Sequence, residues 1–124
     1  MDKCLDLIGV PFEYGGRGPD ALDCYGLVME VAKRNGTPLP DFGFASDQAM
    51  ISAMMGCTMP QWEEIEQVAG AIVLFRIGRY VSHCGVMIDE SRMIHTWKES
   101  GGVTIQPIDL WTQRIVGFYK HVGN

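Results

Sequence analysis

From residue 71 onward the chain runs as five short apolar segments parted by turn residues: Ala71 to Ile77, Tyr80 to Ile88, Arg92 to Trp97, Val103 to Ile108 and Ile115 to His121. Each has the composition of a strand. Connections this short cannot carry a parallel crossover, which takes about a dozen residues or more, so the strands must pair antiparallel. The helical signals lie upstream of them, and helices followed by a run of strands make an α+β domain. A chain of 124 residues is one such domain, 1–124, able to bury a core.

The best marked helix begins at Cys24. Asp20 and Asp23 are its N-cap or first-turn acids, and Leu27, Val28, Val31 and Ala32 form an apolar stripe. Lys33 and Arg34 close the last turn, and Gly36 suits the left-handed position after it. Residues 2 to 8 predict a short helix ended by Gly9 and Pro11. Ser46-Asp47 predicts the cap of another, running through Met55 and stopping at Gly56, with Met50, Met54 and Met55 filling core. Residues 37 to 70, with their prolines, glycines and methionines, are where a lid or subunit contact is expected.

A net charge of −5 without a basic stripe argues against nucleic acid and suits a substrate carrying an amine. No segment approaches the ~20 apolar residues of a membrane span, and MDKCLDLIGV lacks the marks of a signal peptide. The chain is therefore expected in the cytoplasm when made, without membrane insertion. Cysteines 4, 24, 57 and 84 form no CxxC pair, which favours free thiols over a disulfide framework.

Cys24 stands where a glycine-rich loop, Tyr14 to Pro19, gives way to the helix. A thiol there sits beside unpaired N–H groups and the positive end of the helix dipole, which favour a thiolate nucleophile. The bland reading is a small buried hydrophobe. His83 and His95 fall in a predicted hairpin with its loop near Asp89 to Ser91. If Ile88 opposes Arg92 across three loop residues, His83 opposes Trp97, His95 opposes Gly85, and both histidines share a face. Cys84, Val86, Ile88 and Ile94 then make an apolar set on the other face, so Cys84 is structural and the hydrophobic pattern favours this odd loop. The histidine face, with Gly85 leaving room for the His95 ring, is expected to meet the Cys24 helix. Cys24 as nucleophile, His83 as base and His95 as orienter would make a site for covalent acyl transfer, with the Cys24 N–H as an oxyanion donor. His121, near the terminus, is expected at the surface.

These residues resemble the NlpC/P60 cysteine peptidases across nearly the whole chain. The similarity rests on YGG at Tyr14 to Gly16, DCYGLV at Asp23 to Val28, HCGVMI at His83 to Ile88 and MIHTW with His95. It implies a papain-like α+β fold, the catalytic Cys helix packed on a C-terminal antiparallel sheet of about five strands, and no metal or organic cofactor. It also implies hydrolysis of peptidoglycan stem peptides at a D-glutamyl to diaminopimelate link through a Cys24, His83, His95 triad. The longer run YGGRGPDALDCYGLV, with LPDF at Leu39 to Phe42 and the closing IVGFYKH, looks most like the phage and prophage tail-associated branch, with phage tail proteins as partners.

Tyr14, Arg17, Asp23 and Tyr25 are the candidate substrate-binding residues. Asp23 is either a ligand for a stem-peptide amine or a helix cap, and Arg17 either a carboxylate contact or a residue that orders the loop. The chain departs from the family where Tyr25 replaces a common serine and Phe12 a common tyrosine. Two other activities are open to these residues: a zinc site of Cys24, His83 and His95, and a lipid acyltransferase, which His before Cys in that class disfavours. A tail assembly protein that keeps the fold without useful catalysis is the non-enzymatic alternative.

Overall fold

Helix α1, Cys24–Arg34, starts and stops where its end residues dictate. Asp23 is extended at the N-cap, and its Oδ1 accepts from the Gly26 N–H at 2.6 Å. Lys33 and Arg34 occupy the last turn, and Gly36 takes φ +83°, a conformation that costs glycine least. The structure, a computed structural model, describes residues 2–43 and 48–122.

Six antiparallel strands form one sheet: β1 Trp62–Ile65, β2 Ile72–Ile77, β3 Tyr80–Met87, β4 Arg92–His95, β5 Thr104–Pro107 and β6 Ile115–His121. Their order is β1-β6-β2-β3-β4-β5. The sequence predicts five of these. The sixth, Trp-Glu-Glu-Ile, has no apolar alternation, and its ladder comes entirely from β6, where Trp62 faces His121 and Ile65 faces Phe118. β4 ends at His95 rather than Trp97, and the run predicted through Ile108 turns after Pro107 into a 3₁₀ helix, Ile108–Arg114.

The N-terminal turn, Asp2–Leu7, is likewise 3₁₀. Helix α2, Gln48–Thr58, runs past Gly56, where an added Cβ would meet open space and nothing forces a stop. Its predicted cap, Ser46-Asp47, lies outside the described residues. Met55 packs against the core, whereas Met50 is 43% exposed. Among the described residues no helix is long and apolar enough to cross a membrane.

The hairpin parity is as the hydrophobic pattern requires. Gly85 pairs with His95, Val86 with Ile94, and the Ile88 N–H bonds the Arg92 carbonyl at 2.9 Å. An added Cβ on Gly85 would lie 3.0 Å from His95 Cβ and from Ile94 O, so a side chain there would crowd the His95 ring from below.

The expectation that this histidine face meets the body of α1 is overturned. Leu27, Val28 and Val31 of α1 pack instead on Cys84, Val86 and Ile94, with Ile72 and Leu74, on the opposite face. Those partners are wholly aliphatic or thiol, which suits the apolar stripe of a helix. The histidine face is covered by the 3₁₀ helix, whose Trp111 packs in the second cluster with Val73, Phe75, Met87 and Met93.

Candidate active site

Main chain sets the position of Cys24. The loop before it folds back on itself: Gly16 N–H bonds Glu13 O at 2.9 Å, and Leu22 N–H bonds Pro11 O at 3.0 Å. Gly16 O accepts from the Asp23 N–H at 3.2 Å and lies so close to Gly26 that any Cβ on Gly26 would collide with it. Loop and helix start are thus in direct backbone contact.

Asp23 is 3% exposed and its carboxylate is fully engaged. Oδ1 accepts from Gly26 N–H and from Arg17 Nη1 at 2.8 Å, and Oδ2 accepts from Gly15 N–H at 3.0 Å. Arg17 also donates to Asp41 and to Gly43 O, tying the loop to residues 41–43. Of the roles open in the sequence, capping for Asp23 and loop ordering for Arg17 are the ones these bonds describe.

Cys24, 2% exposed, lies at the first position of α1, and its thiol donates to Ser82 O at 3.8 Å on β3, one residue before His83. The neighbouring Cys24 thiol and burial hold the Cys84 thiol well above its usual pKa, so Cys84 stays protonated.

His83 and His95 are buried, with His83 Nε2 and His95 Nδ1 2.8 Å apart. Burial pushes the pKa of His83 well down, helped by His95 and Arg114. Burial lowers that of His95 too, against an opposing hydrogen bond from Gln106. Both rings are therefore neutral near neutral pH. Trp111 stands at 82° to the His95 ring with centroids 5.0 Å apart and lies 5.6 Å from His83, while Phe75 and Trp97 complete the surround. Arg114 sits over both indoles, at 5.3 Å from Trp111 and 5.8 Å from Trp97.

Cys24 and His83 open onto one cavity of about 200 Å³, lined also by Phe12, Tyr14, Ser82, Trp97, Lys98 and Glu99. The Tyr14 ring meets Phe12 edge-on at 5.1 Å. On the other side of Cys24 is a smaller apolar cavity of about 60 Å³, bounded by Tyr25, Phe42, Met55, Met59, Trp62 and Cys84 among others. Tyr25 belongs to that side, its hydroxyl donating to Pro40 O at 2.8 Å and its ring tilted on Phe42. Burial pushes its pKa upward, so the phenol stays protonated. Residues from the 37–70 segment, expected as a lid or contact, contribute to this apolar wall. His121 is half-buried rather than superficial, bonded to Gln61 at 3.0 Å and edge-on to Trp62.

Two participants escape the sequence reading. Gln106 Oε1 lies 2.6 Å from His95 Nε2 and 3.1 Å from Trp111 Nε1. Gln106 opposes Met93 across β4 and β5, which puts it on the histidine face by strand parity, a signal present in the sequence. Trp111 arrives from a 3₁₀ helix that strand periodicity does not reveal. In this network both ring nitrogens of His95 are hydrogen-bonded, one to His83 and one to Gln106.

The sequence matches the NlpC/P60 family over residues 9–120. It is 30% identical over 113 residues to a probable endopeptidase p60 of Listeria grayi, covering 90% of this chain but 20% of that protein. The fold is similar to the P60 domain of the Mycobacterium avium subspecies paratuberculosis antigen MAP1204, with a TM-score of 0.67 and 19% identity, covering 99% of this chain and 91% of that one. It is also similar to the peptidoglycan hydrolase RipB of Mycobacterium tuberculosis, with a TM-score of 0.65 and 18% identity over 99% and 62% of the two chains.

Proposed function

This chain belongs to the NlpC/P60 family, and from that premise we propose that it is a cysteine peptidase hydrolysing peptidoglycan stem peptides at a D-glutamyl to diaminopimelate link. The observation that carries the reading is the shared cavity: the Cys24 helix start and His83, backed by His95, border the same space.

His83 acts as a neutral base. It takes the thiol proton as the Cys24 sulfur attacks the carbonyl carbon, and first-turn N–H groups of α1, including that of Cys24, stabilise the oxyanion. His83 then passes its proton to the leaving amine, and water hydrolyses the thioester with His83 again as base. His95 holds the His83 ring. Tyr14, Lys98 and Glu99 line the approach to this pair, and the acidic surface favours a substrate with a free amine. Asp23 and Arg17 act by holding the helix start and the loop in place, and Tyr25 lines the apolar side.

The resemblance of its run YGGRGPDALDCYGLV supports assigning the chain to the phage and prophage tail-associated branch as part of this proposal. The chain would then be made in the cytoplasm and reach the wall with tail proteins.

The test is digestion of purified peptidoglycan with product identification by mass spectrometry. Wild type releases fragments with a new diaminopimelate amine, and Cys24→Ala, of nearly unchanged volume, releases none while keeping its Tm. Equal release by the variant would sink the reading. No release by a folded wild type would favour the tail assembly role.

A further inference from the structure

The bonds around Gln106 determine where the protons of the histidine pair sit. An indole N–H can only donate, so the Gln106 atom that meets Trp111 Nε1 at 3.1 Å is the carbonyl oxygen, and the amide cannot be turned the other way. The same oxygen is 2.6 Å from His95 Nε2, which must therefore carry a hydrogen. A neutral imidazole has one N–H, so His95 Nδ1 is a lone pair. Across 2.8 Å His83 Nε2 must then be the donor, and the one nitrogen left to His83 as a base is Nδ1.

We propose that Gln106, locked by Trp111, is a positioning residue that sets the tautomers of His95 and His83 and so keeps His83 Nδ1 free to take up a proton. The consequence for catalysis rests on the reading of His83 as the base for Cys24. The tautomer assignment itself does not. Without the Gln106 oxygen, His95 can carry its hydrogen on Nδ1 and donate to His83 Nε2. His83 then holds its hydrogen on Nδ1, and the base is lost. Gln106 is only half-buried and on an edge strand, so it can be changed without opening the core.

The experiment combines ¹⁵N NMR of the histidine rings in the full chain with steady-state kinetics on a stem peptide. In wild type, His83 Nδ1 and His95 Nδ1 report as unprotonated and both Nε2 as protonated. Gln106→Leu populates the reversed tautomers and lowers kcat about 10–100-fold with KM little changed.

Gln106→Glu supplies oxygens to both donors and keeps the wild-type tautomers at alkaline pH. Its carboxylate stabilises protonated His95, whose Nδ1–H then faces His83, so the acid limb of the kcat profile moves to higher pH. Trp111→Phe keeps a ring but frees the amide to turn, giving a partial reversal. If Gln106→Leu does not fold, these two variants decide. Protonated His83 Nδ1 in the wild type, or unchanged tautomers in Gln106→Leu or, failing that, in Trp111→Phe, overturns the proposal. If Cys24→Ala stays active, the peptidase reading fails, while the NMR still decides whether Gln106 sets the tautomers.

Discussion

The two faces of the sheet are built on different physics. Under α1 the contacts are aliphatic, with Leu27, Val28 and Val31 on Val86 and Ile94, and many apolar partners would fill that space about as well. Under the 3₁₀ helix the contacts are rings and directed hydrogen bonds, His83 to His95 to Gln106 to Trp111, in which each donor needs one acceptor. The first face supplies stability by area, the second a single arrangement of protons. Cys24 is where they meet: its helix rests on the aliphatic face while its residue borders a cavity on each side.

Separating the faces by mutation should separate stability from activity. His83→Ala should lower kcat/KM about 10²–10⁴-fold, the usual contribution of a positioned base, with a much smaller relative loss in Tm. Leu27→Ala on the other face should cost about 2–5 kcal/mol in denaturant unfolding while activity per folded molecule stays near wild type. A Leu27→Ala enzyme that is stable but inactive would erase the distinction.

Gly85→Ala tests the room that a missing side chain leaves on the histidine face. Its Cβ would press on His95 Cβ and Ile94 O, with an expected cost of about 1–3 kcal/mol and a perturbed His95 ring signal by NMR. A neutral substitution would mean the sheet yields there.

The effect that builds up most gradually is one of pH. The native histidines have depressed pKa values, so below about pH 6.5 the unfolded chain binds protons that the native rings refuse, and stability falls with pH by up to about 1.4 kcal/mol per unit per histidine. The depressed carboxylates Asp6, Asp41 and Asp89 lose their contribution only below about pH 4, outside this window. Tm measured from pH 7 to 5 should fall, and fall less steeply in His83→Gln. A flat wild-type profile would contradict the buried neutral pair.

What was legible in the sequence was local. Caps mark the ends of α1, and period two alone gives the hairpin parity, the shared side of His83 and His95, and the need for Gly85. Period two says which residues share a face, but not which layer covers it, so the side on which α1 packs is decided by tertiary contacts it does not encode. β1 was invisible because its four residues pair with the far end of the chain. Trp111 was invisible as a site residue because a 3₁₀ turn leaves no periodic trace over so few residues.

The contact between Gly16 O and Gly26 bears on how this site can change over time. Because two backbones touching directly register the thiol, the walls on either side are free to drift. Phe12, Tyr25 and Phe42 can be exchanged to suit a new substrate while the Cys24 sulfur keeps its address, so a change of specificity need not pass through displacement of the thiol.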